Sequence, residues 1–153
     1  MPTVTSRSEA DTARLAGLLA PLLRAGDTVL LEGELGAGKT AFARALVRAL
    51  LHTPSLVVPS PTFSLVQPYE GEGLRLLHID LYRLGDAREA EELGISDDDE
   101  AIRLIEWPER LPQIGAEGDF RVRLTQGKGE DERQIEISAP REAAREAGLG
   151  RWK

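Results

Sequence analysis

Apolar residues near the start of the chain recur at helical spacing. Leu15, Leu18, Leu19, Leu22 and Leu23 fall at i, i+3, i+4, i+7 and i+8. Ser8 with Asp11 three residues on supplies a cap at the front, and Gly26 supplies a stop. An amphipathic helix is expected there. The period then changes: Thr28 to Glu32 is a short apolar run that reads as a buried strand, and helical spacing returns from Lys39 to about Leu51, with Phe42, Leu46 and Leu50 on one side. Pro54 ends that helix, and Leu56 to Val58 reads as a second short strand before Pro59-Ser60-Pro61. Phe63 to Tyr69 and Leu74 to Ile79 are strand-like. The link Glu70-Gly71-Glu72-Gly73 between them predicts an antiparallel hairpin. Ala87 to Leu93 reads as a short helix and Ala101 to Ile105 as a compact strand. Phe120 to Thr125 and Gln134 to Ser138 read as a second hairpin across Gly127-Lys128-Gly129-Glu130, and the tail after Pro140 as a helix.

The segment joining the first strand to the second helix changes this picture from architecture to chemistry. Gly33-Glu34-Leu35-Gly36-Ala37-Gly38-Lys39-Thr40 fits G-x-x-x-x-G-K-[ST] at every fixed position. Three glycines let the backbone curl until successive N–H groups point at phosphate oxygens, and the positive end of the following helix faces the same spot. Lys39 then sets a charge against the β and γ phosphates, and the Thr40 hydroxyl is placed to ligate a metal. The implied ligand is a nucleoside triphosphate with Mg²⁺. With strand, loop and helix in this order, the expected fold is a P-loop NTPase-like α/β sandwich of three layers. Its mixed sheet is parallel at the nucleotide end and carries antiparallel hairpins.

Composition narrows the partners. The chain has 153 residues, the size of one ordinary domain, and no cysteine, so a disulfide framework or a Cys-based site is excluded. No apolar run is long enough to span a membrane and no secretion signal is evident, which makes a soluble cytoplasmic protein the expectation. Lys and Arg total 19 against 26 Asp and Glu, a formal charge of −7. Much of the excess lies between Asp86 and Glu100 and includes Asp97, Asp98, Asp99 and Glu100, a run that reads as a solvated loop or as a docking patch. Tight nucleic-acid binding rests on Lys and Arg neutralising phosphates, so this chain is a poor solo binder of RNA. Any RNA it serves is expected to be held by something else.

Two segments end an apolar strand on a carboxylate: Leu76-Leu77-His78-Ile79-Asp80 and Ile102-Arg103-Leu104-Ile105-Glu106. Ligands of open α/β sheets sit beyond the carboxyl ends of strands, so both Asp80 and Glu106 are candidates to reach a metal or the γ-phosphate. Ser60-Pro61-Thr62-Phe63-Ser64 lies where nucleotide switches carry a sensing hydroxyl, and equally reads as a proline-stiffened turn. Trp107 is either a docking anchor or an aromatic packed on the sheet edge. His78, between apolar neighbours on a strand, reads as structural, and His52 as a favourable charge at a helix end. Arg133 reads as a surface strand residue, with a place flanking the nucleotide base as the alternative. No Ser or Thr has a His base in sequence, which leaves a hydrolase triad unsupported.

Taken in order, the phosphate loop, Ser60-Pro61-Thr62-Phe63-Ser64-Leu65-Val66, His78-Ile79-Asp80-Leu81-Tyr82-Arg83-Leu84 and Ile105-Glu106-Trp107-Pro108-Glu109 resemble the bacterial TsaE (YjeE) family, over about residues 5 to 138. The resemblance implies a Mg²⁺-dependent ATPase, weak alone, that works with the TsaD and TsaB proteins. That partnership installs threonylcarbamoyl on adenosine 37 of tRNAs reading codons that begin with A. It implies that tRNA is met only through those partners and that ATP is the nucleotide. By the same resemblance, Gly33, Gly36, Ala37, Gly38, Lys39, Thr40, Ala41, Thr62 and Thr12 would line the nucleotide, Thr40 and Glu106 would hold Mg²⁺, and Asp80, with Lys39 and Glu106, would carry hydrolysis. The family usually has a second Thr where Ala41 stands and a Thr where Ser64 stands. A nucleotide-gated interaction module and a small-molecule kinase are the alternatives. The short acidic stretch from Asp86 to Glu100 disfavours the kinase, which needs an Arg-rich lid.

Overall fold

The computed structural model describes residues 3–95, 97–112 and 120–139. The tail expected to be helical after Pro140 lies outside them. The chain runs β1 (Thr3–Ser6), α1 (Glu9–Leu19), β2 (Thr28–Glu32), α2 (Lys39–Leu50), β3 (Val66–Gly71), β4 (Leu74–Asp80), α3 (Ala87–Glu92), β5 (Ile102–Glu106), β6 (Phe120–Gln126) and β7 (Arg133–Ser138). Among the described residues seven strands form one sheet in the order β1-β7-β6-β2-β5-β4-β3. The four central strands, β6, β2, β5 and β4, are parallel. Both margins are antiparallel, β1 and β7 on one side and β3 on the other. This is the expected mixed sheet.

Alternation along the central strands builds two layers of core. Val29 and Leu31 of β2, with Ile102 and Leu104 of β5, face α1 and α2, where Leu15, Leu19, Phe42, Leu46 and Val47 complete the larger cluster. Leu30, Ile79 and Ile105 point to the opposite face and pack with Leu81, Ala90 of α3, Ile95 and Leu111. Strand β2 is therefore covered on both sides, which is why its sequence reads as a continuous apolar run. Each such side chain, removed from water, contributes about 1.5–3 kcal/mol.

Several expected boundaries move for identifiable reasons. Ser8 does cap α1, its hydroxyl accepting from the Asp11 N–H. The helix ends at Leu19, not Gly26, because Pro21 opens a 3-10 turn over Ala20–Leu22. Gly26 instead has φ +91 and donates its N–H to Glu100 O, and a Cβ there would meet Asp99 O at 2.8 Å. Residues 56–58 form no strand, since the Leu56 and Val58 carbonyls accept side-chain hydrogen bonds from Arg48 and Arg44 of α2. β3 starts at Val66, later than Phe63, because Leu65 takes φ +65 and closes a turn onto Pro61 O. The hairpin link is shorter than expected: Glu70 and Gly71 stay in the ladder, and Glu72 and Gly73 make the turn with φ +54 and +75. β1 was not anticipated. It is four residues long with Val4 and the polar Ser6 facing inward, too short and too polar for a periodic signal. The acidic run is partly tied down, as Arg75 of β4 donates to both Asp98 oxygens and to Glu100.

Candidate nucleotide site

The phosphate loop emerges from β2 beside β5 and β6 and turns straight into α2, so everything aimed at it comes from the carboxyl ends of parallel strands. Two glycines make the curl, Gly36 at φ +81 and Gly38 at φ +103. Gly33, at φ +155, also gives the close packing, since a Cβ there would sit 2.5 Å from Leu124 O of β6. A cavity of about 320 Å³ opens over the loop, lined by Gly36, Gly38, Lys39, Thr40 and Ala41 from one side and by Thr62, Asp80, Glu106 and Trp107 from the other.

Glu106 and Asp80 are partners in the β4–β5 register, so the two carboxylates stand side by side on the face toward α2. Their surroundings differ. Glu106 Oε1 accepts from the Thr40 hydroxyl at 2.8 Å, and Oε2 lies 2.6 Å from His78 Nε2. Asp80 accepts the Tyr82 backbone N–H at 2.9 Å and the Thr62 hydroxyl at 3.3 Å. Burial raises the Asp80 carboxyl above its ordinary value; the Tyr82 N–H opposes this and the neighbouring Glu106 adds to it. Ser60 and Thr62 hydroxyls lie 2.7 Å apart at the cavity edge.

Lys39 is 5 % exposed and donates to the loop's own carbonyls, Gly33 O and Glu34 O. Its ammonium lies 3.9 Å from the centroid of the Trp107 ring. Burial lowers the Lys39 pKa, while Glu106, Glu109, Asp80 and Glu34 pull it back up. Trp107 reaches this position because its backbone takes φ +59 and ψ +50, uncommon for a bulky residue, before Pro108 opens a 3-10 turn. Its ring also packs on Tyr82, with centroids 4.9 Å apart.

The residues present fit a nucleotide with Mg²⁺. Among the described residues no three His, Cys, Asp or Glu cluster as a closed metal cage. Mg²⁺ keeps waters and takes one or two protein oxygens plus substrate phosphates, and Thr40 with Glu106 is such a pair. Of the residues expected to line the nucleotide, Gly33, Ala37 and Thr12 do not line the cavity, and Thr12 belongs to another element. It is buried against Ser6, with the two hydroxyls 2.7 Å apart.

A family model described as threonylcarbamoyl adenosine biosynthesis protein TsaE matches residues 6–135. The chain belongs to the TsaE family. A relative from Aquifex aeolicus, named tRNA threonylcarbamoyladenosine biosynthesis protein TsaE, is 45% identical over 107 residues, 70% of this chain and 77% of the relative. One of the same name from Rickettsia conorii is 43% identical over 114 residues, 72% of this chain and 63% of that protein. The crystal structure of Bacillus subtilis YdiB superposes with a TM-score of 0.76 over 97% of this chain and 95% of its own, at 24% identity, and so shares the fold.

Within this TsaE chain, three residues do more than sequence reasoning assigned them. Arg133 reaches from β7 to donate to Ala37 O at 3.0 Å and Gly36 O at 3.3 Å, and also to Glu130 O and Glu132 O of the β6–β7 turn. One guanidinium thus pins the phosphate loop to a distant hairpin. Trp107 covers Lys39 rather than only the sheet edge, and His78 touches Glu106. His78 could have been found, since a polar residue two before Asp80 on a strand must share its face. For Arg133 the sequence offered a place beside the base, and in the structure it donates to the loop carbonyls.

Proposed function

We propose that this chain is a Mg²⁺-dependent ATPase that acts with TsaD and TsaB in forming the threonylcarbamoyl group on adenosine 37 of tRNAs reading codons that begin with A. The observation that carries the reading is the convergence on one phosphate loop of Lys39, the Thr40–Glu106 pair and Asp80. The relatives' name for tRNA threonylcarbamoyladenosine biosynthesis supplies the pathway. Bound Mg²⁺ would neutralise charge on the β and γ phosphates. The chain's own residues divide the remaining work. Loop N–H groups and Lys39 bind the phosphates, Lys39 with a donor beyond those given to the Gly33 and Glu34 carbonyls. Thr40 and Glu106 hold the cation. Asp80, raised by burial and free of any Lys or Arg ion pair among the described residues, orients the attacking water and accepts its proton. The net charge of −7 suits docking on proteins rather than gripping tRNA, and a cytoplasmic location follows from that role. No helix among the described residues is long and apolar enough to cross a membrane.

Phosphate release from ATP, measured with and without TsaD and TsaB, tests the proposal. Turnover stimulated by the pair, together with restored tRNA modification in their presence, is the expected result. A phosphorylated small acceptor would overturn it in favour of a kinase. Modification sustained by a variant that binds ATP without hydrolysing it would favour a nucleotide-gated module.

A further inference from the structure

We propose that His78 is a positioning residue that fixes the orientation of the Glu106 carboxylate toward the metal position, an inference that rests on the nucleotide reading above. Strand alternation puts His78 and Asp80 on one face of β4, and the parallel register sets Asp80 opposite Glu106 and His78 opposite Leu104. His78 is thus one step back along the sheet from the carboxylate pair and reaches Glu106 diagonally. Its Nε2 lies 2.6 Å from Oε2, while Oε1 is left to Thr40 at 2.8 Å. The two oxygens of one carboxylate are therefore divided between a residue buried in the sheet and a residue of the phosphate loop.

A purely structural role accounts poorly for this histidine. The ring is 0 % exposed and its Nδ1 has no hydrogen-bond partner among the described residues. A histidine kept for packing would be expected to satisfy both nitrogens or to be replaced by an apolar side chain of similar size. Here the ring's polar contact is the one with Glu106. Without it, the carboxylate could rotate about its last bond and Thr40 would lose a fixed acceptor. Residues that orient a metal ligand in this way change metal affinity by about tenfold to a hundredfold when removed.

The test is calorimetric titration of the whole chain with a non-hydrolysable ATP analogue, once with excess Mg²⁺ and once with EDTA. For the unaltered chain Mg²⁺ should tighten binding, and Glu106→Gln should lose that gain. In His78→Leu the gain should shrink by about tenfold, with affinity in EDTA unchanged, and His78→Gln, which keeps a donor at similar reach, should restore it. Should His78→Leu fail to fold, as a thermal melt will show, His78→Asn is read by the same criterion, because its amide is too short to reach Glu106. A full Mg²⁺ gain in either of these variants, with the gain absent in Glu106→Gln, overturns the role of His78 and leaves the metal site standing. If Glu106→Gln itself keeps the gain, the metal reading falls and His78 loses its role with it.

Discussion

The phosphate loop is held from two flanks that treat it differently. On the β6–β7 flank a single side chain, Arg133, grips loop carbonyls and sends nothing into the cavity. On the β4–β5 flank Asp80 and Glu106 leave the loop backbone alone and face the cavity with their carboxylates. One flank sets the shape of the curl and the other carries the charge that reads what the curl holds. The division also appears in burial: Asp80 and Glu106 are 4 % and 2 % exposed, whereas the Arg133 guanidinium lies nearer the surface. On the proposed function, the groups that act on a phosphate are taken out of water, and the group that only braces backbone is not.

Substitutions on each flank should therefore fail in different ways. The largest effect belongs to the loop itself: Lys39→Ala removes the cation that both flanks surround, costs about 2–5 kcal/mol, and is expected to abolish ATP binding in a calorimetric titration. Unchanged affinity would place the phosphates elsewhere. Next, Asp80→Asn should keep ATP bound while phosphate release, measured with TsaD and TsaB, falls by about a hundredfold or more. Wild-type release would remove Asp80 from hydrolysis and collapse the distinction between the flanks. Arg133→Gln should leave turnover of bound ATP nearly intact and weaken ATP binding by about 1 kcal/mol, roughly fivefold in Kd. A turnover defect without a binding defect would mean that the brace flank does chemistry.

The smallest effect is on stability and follows from the sign of the Asp80 shift. Burial raises its carboxyl above the usual value, so the folded state binds that proton more readily than the unfolded chain does. The ionised form then costs stability above the folded pKa, and the cost disappears as pH falls from there through the ordinary carboxylate range. Asp80→Asn should melt a few degrees higher than the unaltered chain at neutral pH, about 1 kcal/mol corresponding to roughly 2–4 °C for a chain of this size. That advantage should vanish in acid. Equal melting temperatures at neutral pH would mean that the buried carboxylate is already compensated.

Much of the candidate site was legible because the phosphate-loop pattern occupies contiguous chain. Eight residues from Gly33 to Thr40 contain both the curl and its cation, and the flanking periods announce the strand and the helix that hold them. Asp80 and Glu106 were legible for a related reason, each closing an apolar run at the end where parallel sheets bind ligands. The segment from Leu56 to Leu65 misled, because its carbonyls are taken by Arg44, Arg48 and a turn rather than by a neighbouring strand, and single-strand propensity cannot see such partners.

By itself, then, the order of residues determined the mixed α/β plan, the glycine-rich loop and two acids beside it, since each depends on spacing along a few consecutive turns or strand steps. Only the tertiary structure decided how they are wired. That Arg133 clasps a loop 96 residues away, that Thr40 meets Glu106 across 66 residues, and that His78 divides the oxygens of Glu106 are consequences of strand order and register. Register comes from the whole sheet burying its apolar faces at once, a collective balance that no local stretch of sequence contains.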